Sequence, residues 1–80
     1  MTEQELIDLG FERQDEGEGN WAEPFYYYVY DFDEDVYLLT PAHDEIEDGK
    51  WIAQFMESRV IFEDAKELSL FINVMKRNEK

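Results

Sequence analysis

Eighty residues carry 21 carboxylates against 7 lysines and arginines, a formal charge of −14, so the chain is one domain with a small core and a strongly negative surface. That charge disfavours direct binding to nucleic acid or anionic lipid, both of which call for Lys and Arg, and the absence of cysteine excludes disulfides and thiolate chemistry. No apolar run approaches the ~20 residues of a membrane helix, and Met1-Thr2-Glu3-Gln4-Glu5 lacks the apolar stretch of a signal peptide; a cytoplasmic location is expected.

Thr2 is a good N-cap and Glu5 stands three positions on, a capping box that opens a short helix with Leu6, Ile7 and Leu9 on its apolar face. Gly10 suits the left-handed position after that helix, and Phe11 then packs back on Leu6. Residues 11–14 read as a short strand and 15–20 as a loop, where two glycines and three carboxylates give no reason to pack. Residues 25–32 give the clearest strand signal, with Pro24 at its start. The two-residue period puts Tyr26, Tyr28, Tyr30 and Phe32 on one face and Phe25, Tyr27 and Val29 on the other. Both faces are aromatic; one lines the core, and the other needs a covering helix or meets solvent or a partner.

Asp33-Glu34-Asp35 is the expected hairpin tip, and residues 36–40 return, ended by Pro41. Residues 42–49 read as a second acidic loop. Residues 50–57 read as a long strand, with Trp51, Ala53 and Phe55 on one face and Ile52, Gln54 and Met56 on the other. Ser58-Arg59 turns the chain into a strand over 60–62. Asp64 and Glu67 form a second capping box. The helix that follows, over 65–77, has a stripe of Ala65, Leu68, Phe71, Ile72 and Met75, cations Lys76 and Arg77 in its last turn, and Leu70 and Val74 off the stripe. The expected fold is α+β, a single domain over 1–80 ordered α-β-β-β-β-β-α, with a small antiparallel β-sheet and the C-terminal helix packed on one face.

Catalytic material is scarce. Asp31-Phe32-Asp33-Glu34-Asp35 begins like a calcium loop, but the glycine and closing glutamate of that pattern fall at Val36 and Ala42, so a charged turn is expected. His43, beside Asp44, Glu45, Glu47 and Asp48, is the chain's one imidazole, and a zinc or iron site calls for more nitrogen or sulfur ligands. There is no G-x-S-x-G elbow, and Gly17 and Gly19 sit among acids that repel phosphate. No catalytic residue, metal or cofactor is expected, and the chain reads as a non-enzyme.

Surface remains. From residue 14 to residue 49 there is no Lys or Arg, yet the stretch holds 12 of the 21 carboxylates together with Trp21, Phe25, Tyr26, Tyr27, Tyr28, Tyr30, Phe32 and Tyr37. Acid without aromatics describes a disordered tail; acid interleaved with aromatics describes a folded sheet with a negative rim. Such an array can imitate the phosphates of a nucleic acid before a partner's Lys and Arg groove, with exposed tyrosines as rigid anchors. The plainer reading is that acid keeps a small hydrophobic sheet soluble and its edges unpaired, and a halophilic origin gives the same composition. The partner-binding candidates are Asp33, Glu34, Asp35, Asp44, Glu45, Glu47 and Asp48, with Tyr26, Tyr28 and Tyr30 between or beside them. The expected partner is a basic protein surface such as that of a nucleic-acid-binding protein. The alternative is a structural or accessory module that self-associates, as a homodimer, through its tyrosine-rich sheet or its Leu70/Val74 surface.

The opening Thr2-Glu3-Gln4-Glu5-Leu6-Ile7-Asp8-Leu9-Gly10-Phe11-Glu12-Arg13, the strand Phe25-Tyr26-Tyr27-Tyr28 and the segment Phe62-Glu63-Asp64-Ala65-Lys66-Glu67-Leu68 resemble small uncharacterised acidic proteins of phages and prophages of Bacteroidetes bacteria. The resemblance implies a compact α+β protein in the host cytoplasm. Small acidic phage proteins include inhibitors of host defence nucleases, which favours the charge-mimic reading. It assigns no functional residue.

Overall fold

The computed structural model describes residues 1–17 and 24–77. Helix α1 (Glu3–Leu9) leads into strands β1 (Glu12–Glu16), β2 (Phe25–Asp33) and β3 (Val36–Leu39); a 3-10 turn (His43–Glu45) follows, then β4 (Ala53–Phe55), β5 (Ile61–Phe62) and helix α2 (Ala65–Arg77). All neighbours pair antiparallel and the sheet order is the chain order, β1-β2-β3-β4-β5. This is the expected α-β-β-β-β-β-α fold, an open five-stranded meander with a helix at each end of the chain. Among the described residues no helix is long and apolar enough to cross a membrane.

The first helix is fixed at both ends by local chemistry. Thr2 Oγ1 accepts from the Glu5 N–H, and Glu5 Oε1 accepts from the Thr2 N–H, closing the capping box. At the other end Gly10 takes φ 106°, its N–H bonds to Ile7 O and the Phe11 N–H to Leu6 O. This is the two-bond left-handed stop anticipated for Gly10-Phe11. A Cβ at Gly10 would stand 3.2 Å from the Tyr30 ring, so both the backbone angle and the packing favour glycine. At the start of α2, Asp64 Oδ1 accepts from the Lys66 N–H.

Both helices lie on one face of the sheet. Leu6, Leu38, Leu68 and Ala53 are fully buried, joined by Phe11, Tyr28, Trp51 and Ile72. The α2 stripe behaves as expected: Leu68 and Ile72 are buried, and Phe71 sits half-buried against Phe32, Phe55 and Phe62 with ring centroids 6.2, 5.1 and 4.9 Å away. Leu70 and Val74 are on the outer side, 61% and 52% exposed.

Several element boundaries differ from expectation. β1 runs on through Asp15 and Glu16, because Glu16 pairs with Phe25 and Asp15 with Tyr26; the ladder overrides the polar sequence. Of the loop expected there, Gly17 is described, with φ 85°, and residues 18–20 lie outside the described residues, as does Trp21. The strand expected over 50–57 shrinks to Ala53–Phe55. Trp51 instead pairs with the chain's beginning: its N–H donates to Met1 O at 2.8 Å, and Met1 N donates back to Trp51 O at 3.2 Å. Beyond Phe55, Met56 takes φ 54° and starts the turn into β5. Within the acidic segment expected as loop, Asp48 and Gly49 both have positive φ, as a tight type I′ turn requires, and the Lys50 N–H closes it on Glu47 O.

Candidate functional site

The hairpin register decides what each face of the sheet presents. β2 pairs with β3 through Val29–Leu39, Tyr30–Leu38 and Asp31–Tyr37, with a shift between Asp31 and Asp33 that marks a bulge near the tip. Leu38 is therefore on the helix-covered face with Tyr28 and Tyr30. Leu39 is on the open face with Phe25, Tyr27 and Val29. β4 and β5 continue the pattern: Gln54 pairs with Leu39 and Ile61, so both join the open face. Neither α1 nor α2 covers that side.

The covered face of β2 is tied down tightly. Tyr28 is 2% exposed and meets Trp51 edge-on at 5.4 Å. Its hydroxyl donates to Glu3 Oε1 at 2.7 Å. Burial, that hydrogen bond and the charge of Glu3 together push the Tyr28 hydroxyl well above its ordinary pKa. Tyr26 is raised as well, first by hydrogen bonding to the Glu3 carboxylate and then by burial. The Arg13 guanidinium lies 3.8 Å from the centre of the Tyr26 ring and bonds Asp15 Oδ1 at 3.0 Å through Nη2 and 3.1 Å through Nε. The hydrogen bond to Asp15 raises the Arg13 pKa further.

At its Phe25 end β2 outruns β3. The backbone donors left over are taken by side chains: Thr40 Oγ1 accepts from the Tyr28 N–H at 2.9 Å, and His43 Nδ1 accepts from the Tyr26 N–H at 3.1 Å. The imidazole also stacks on the Tyr26 ring, 4.3 Å between centroids and 3° from parallel. His43 thus pins the 3-10 turn to the strand edge, and its Nδ1 is occupied as an acceptor. Among the described residues no three His, Asp or Glu side chains converge as a metal site would require.

Where β3 departs, the open face is left with a groove of about 650 Å³. Phe25, Tyr27 and Leu39 form its apolar side, Gln54 reaches it from β4, and Asp44 and Glu45 close it at the 3-10 turn. The Phe25 and Tyr27 rings stack at 6.4 Å and 28°. Glu45 Oε2 accepts from the Ala42 N–H at 3.3 Å, which holds the turn in shape.

The predicted site residues are therefore distributed as follows. Asp33, Glu34 and Asp35 are exposed at the hairpin tip, with Asp33 Oδ1 accepting from the Glu34 N–H at 2.7 Å. Asp44, Glu45, Glu47 and Asp48 are exposed at the opposite end of β2; Asp44 and Glu45 face the groove. Strand β2 runs between the two acidic groups, and its eight residue steps from Phe25 to Asp33 span about 26 Å. The three predicted tyrosines share the helix-covered face, and of them only Tyr28 is fully enclosed; Phe25 and Tyr27 on the other face are half-buried like Tyr26 and Tyr30. The aromatic residues beside the acids on the open side are Phe25 and Tyr27. Their signal was the period-two alternation itself, which separates the two faces but does not say which one the helices cover.

Comparison with protein-family models, curated proteins and solved structures finds no significant match.

Proposed function

We propose that the chain is a non-enzymatic binding domain that engages a basic protein surface through the open side of its sheet. The observation that carries this reading is the arrangement of residues 24–48. A helix-free face on which Phe25, Tyr27, Val29 and Leu39 are half-buried is flanked at one end by Asp33-Glu34-Asp35 and at the other by Asp44, Glu45, Glu47 and Asp48, with no Lys or Arg in the stretch. Apolar anchors give affinity in such an interface, and the acids select and steer a cationic partner. In its sharpest form the domain is an inhibitor, of the kind phages use, that occupies the nucleic-acid groove of a DNA- or RNA-binding protein. Carboxylates grouped at the two ends of a strand about 26 Å long then stand where phosphates would.

The test is affinity capture from a bacterial lysate at low and high NaCl, with the captured proteins identified. Wild type is expected to retain basic nucleic-acid-binding proteins at low salt and release them at high salt. Reversing Asp33, Glu34 and Asp35 to Lys is expected to abolish that retention with the fold intact. Retention unchanged by the reversal rejects the reading. A second reading, self-association through the helices, is favoured by the exposure of Ile7, Leu70 and Val74. It predicts a dimer that survives high salt and is lost in a Leu70→Ser, Val74→Ser variant.

A further inference from the structure

We infer that the groove beside the 3-10 turn is a receptor for an arginine side chain presented by the basic partner. This deepens the reading above and rests on it for the identity of the partner, though not for the chemistry of the groove.

The covered face shows the recipe already in use. There the chain's own Arg13 lies over the Tyr26 ring at 3.8 Å and bonds a carboxylate, Asp15, at 3.0 Å. A planar guanidinium gains from both contacts together: its face stacks on the aromatic ring, and its edge donates to a carboxylate. The open-face groove repeats the two ingredients one residue along β2. Tyr27, stacked with Phe25, supplies the ring, and Asp44 and Glu45 supply the acids. None of the described residues lining the groove is basic. A cation seated there would come from outside the groove's own walls.

Other occupants fit less well. A second copy would bring another −14 charge and a second acidic rim against the first. A nucleobase could stack on Tyr27, but its phosphates would meet Asp44 and Glu45. A lysine satisfies the acids but lacks the flat face that the ring pair offers. Gln54, at the β4 side of the groove, adds a neutral amide able to accept from a guanidinium N–H.

The experiment is a titration of isotope-labelled protein, followed by backbone amide NMR, with N-acetyl-arginine amide, its lysine counterpart and its citrulline counterpart. Citrulline keeps the shape and removes the charge. Arginine is expected to move the amides of Phe25, Tyr27, Asp44, Glu45 and Gln54 saturably, lysine several-fold more weakly, and citrulline not at all. Tyr27→Leu, which keeps an apolar strand residue, is expected to weaken arginine binding roughly threefold to tenfold. Asp44→Asn with Glu45→Gln is expected to do at least as much. Equal shifts at the Asp33-Glu34-Asp35 tip, equal response to citrulline, or indifference to both variants overturns the proposal. So do groove shifts that depend on protein concentration alone, which would put a second copy there. The two readings fail separately. Lysate capture that persists in Tyr27→Leu, with no localised arginine response, leaves the basic-partner reading standing and removes the receptor. A localised arginine response without any captured basic protein does the reverse.

Discussion

Tyr26, Tyr28 and Tyr30 stand one residue away from Phe25, Tyr27 and Val29 along β2, yet the two sets occupy opposite surroundings. The first set lies under both helices, with Tyr28 tied through its hydroxyl to Glu3, Tyr26 stacked between Arg13 and His43, and Tyr30 against Phe11. The second set is half-buried on the side that neither α1 nor α2 covers, and Phe25 and Tyr27 there line a groove with Asp44 and Glu45. Residue type is nearly the same on both faces, so type alone cannot assign roles. What differs is what the other elements bring to each side. The covered face receives Leu6, Leu68 and Ile72 from the helices and, at its rim, the exposed Arg13–Asp15 pair. Among the described residues the open face receives Gln54, Ile61 and the acids of the 3-10 turn, and none of those lining its groove is basic.

That contrast is sharpest at Leu38 and Leu39, adjacent residues on opposite faces. Leu38→Ala is expected to cost about 2–5 kcal/mol by leaving a cavity in a filled core, a large part of the roughly 5–15 kcal/mol that holds a small domain together. Leu39→Ala is expected to cost under about 1 kcal/mol. Urea midpoints measure both, and comparable losses would mean that the open face is covered after all.

Tyrosine hydroxyls give a second test. Tyr28→Phe removes the bond to Glu3 and is expected to cost about 1 kcal/mol. It also predicts a pH dependence. Because folding raises the pKa of Tyr28, the protonated hydroxyl is favoured in the native state. Its stabilisation is complete below the unfolded value near 10 and is lost as pH rises from there toward the raised native value. Tyr26 adds to the same window. Denaturant titrations between neutral pH and alkaline pH, with tyrosinate absorbance recorded alongside, are expected to show this loss in wild type and a smaller one in Tyr28→Phe. Identical alkaline profiles would remove Tyr28 from the account.

Tyr27→Ala should separate stability from binding. Its expected effect on stability is less than about 1 kcal/mol, whereas retention of a basic partner should fall. A large stability loss with unchanged retention would exchange the roles of the two faces. The smallest effect expected is that of salt on the isolated domain. Screening of 21 acids held against 7 bases should raise the melting temperature by a few degrees between low and moderate NaCl. A flat response would mean that the acids are already paired or well spaced.

Most of the architecture could be read from local signals, because those signals are local in physics. The Thr2/Glu5 cap, the Gly10-Phe11 stop, the Asp33-Glu34-Asp35 tip and the α2 stripe each depend on residues within a turn or two of one another. The face assignment could not be read this way. Alternation groups Tyr26 with Tyr28, but the choice of covered face depends on where Leu6 and Leu68 dock, which is a long-range outcome. The extension of β1 through Asp15 and Glu16 is likewise dictated by pairing with Tyr26 and Phe25 rather than by propensity. Thr40 and His43 carry the same lesson. Both act as backbone acceptors for β2 only because β3 ends before β2 does.

The meander has a kinetic consequence. Every strand pairs with its sequence neighbour, so the sheet can zip outward from the β2–β3 hairpin, the longest connection between neighbours being residues 40–52. The closures made by Met1 are different: it reaches Trp51 across 50 residues and Glu63 across 62. The first helix should therefore dock late, after the transition state for folding. In stopped-flow experiments Leu6→Ala is then expected to accelerate unfolding and leave the folding rate nearly unchanged, whereas Leu38→Ala slows folding. Slowed folding in Leu6→Ala, in proportion to its lost stability, would place α1 in the nucleus. If docking is late, the segment first in sequence is the last to be secured, and the part of the covered face that α1 packs on stays open to solvent until that final step.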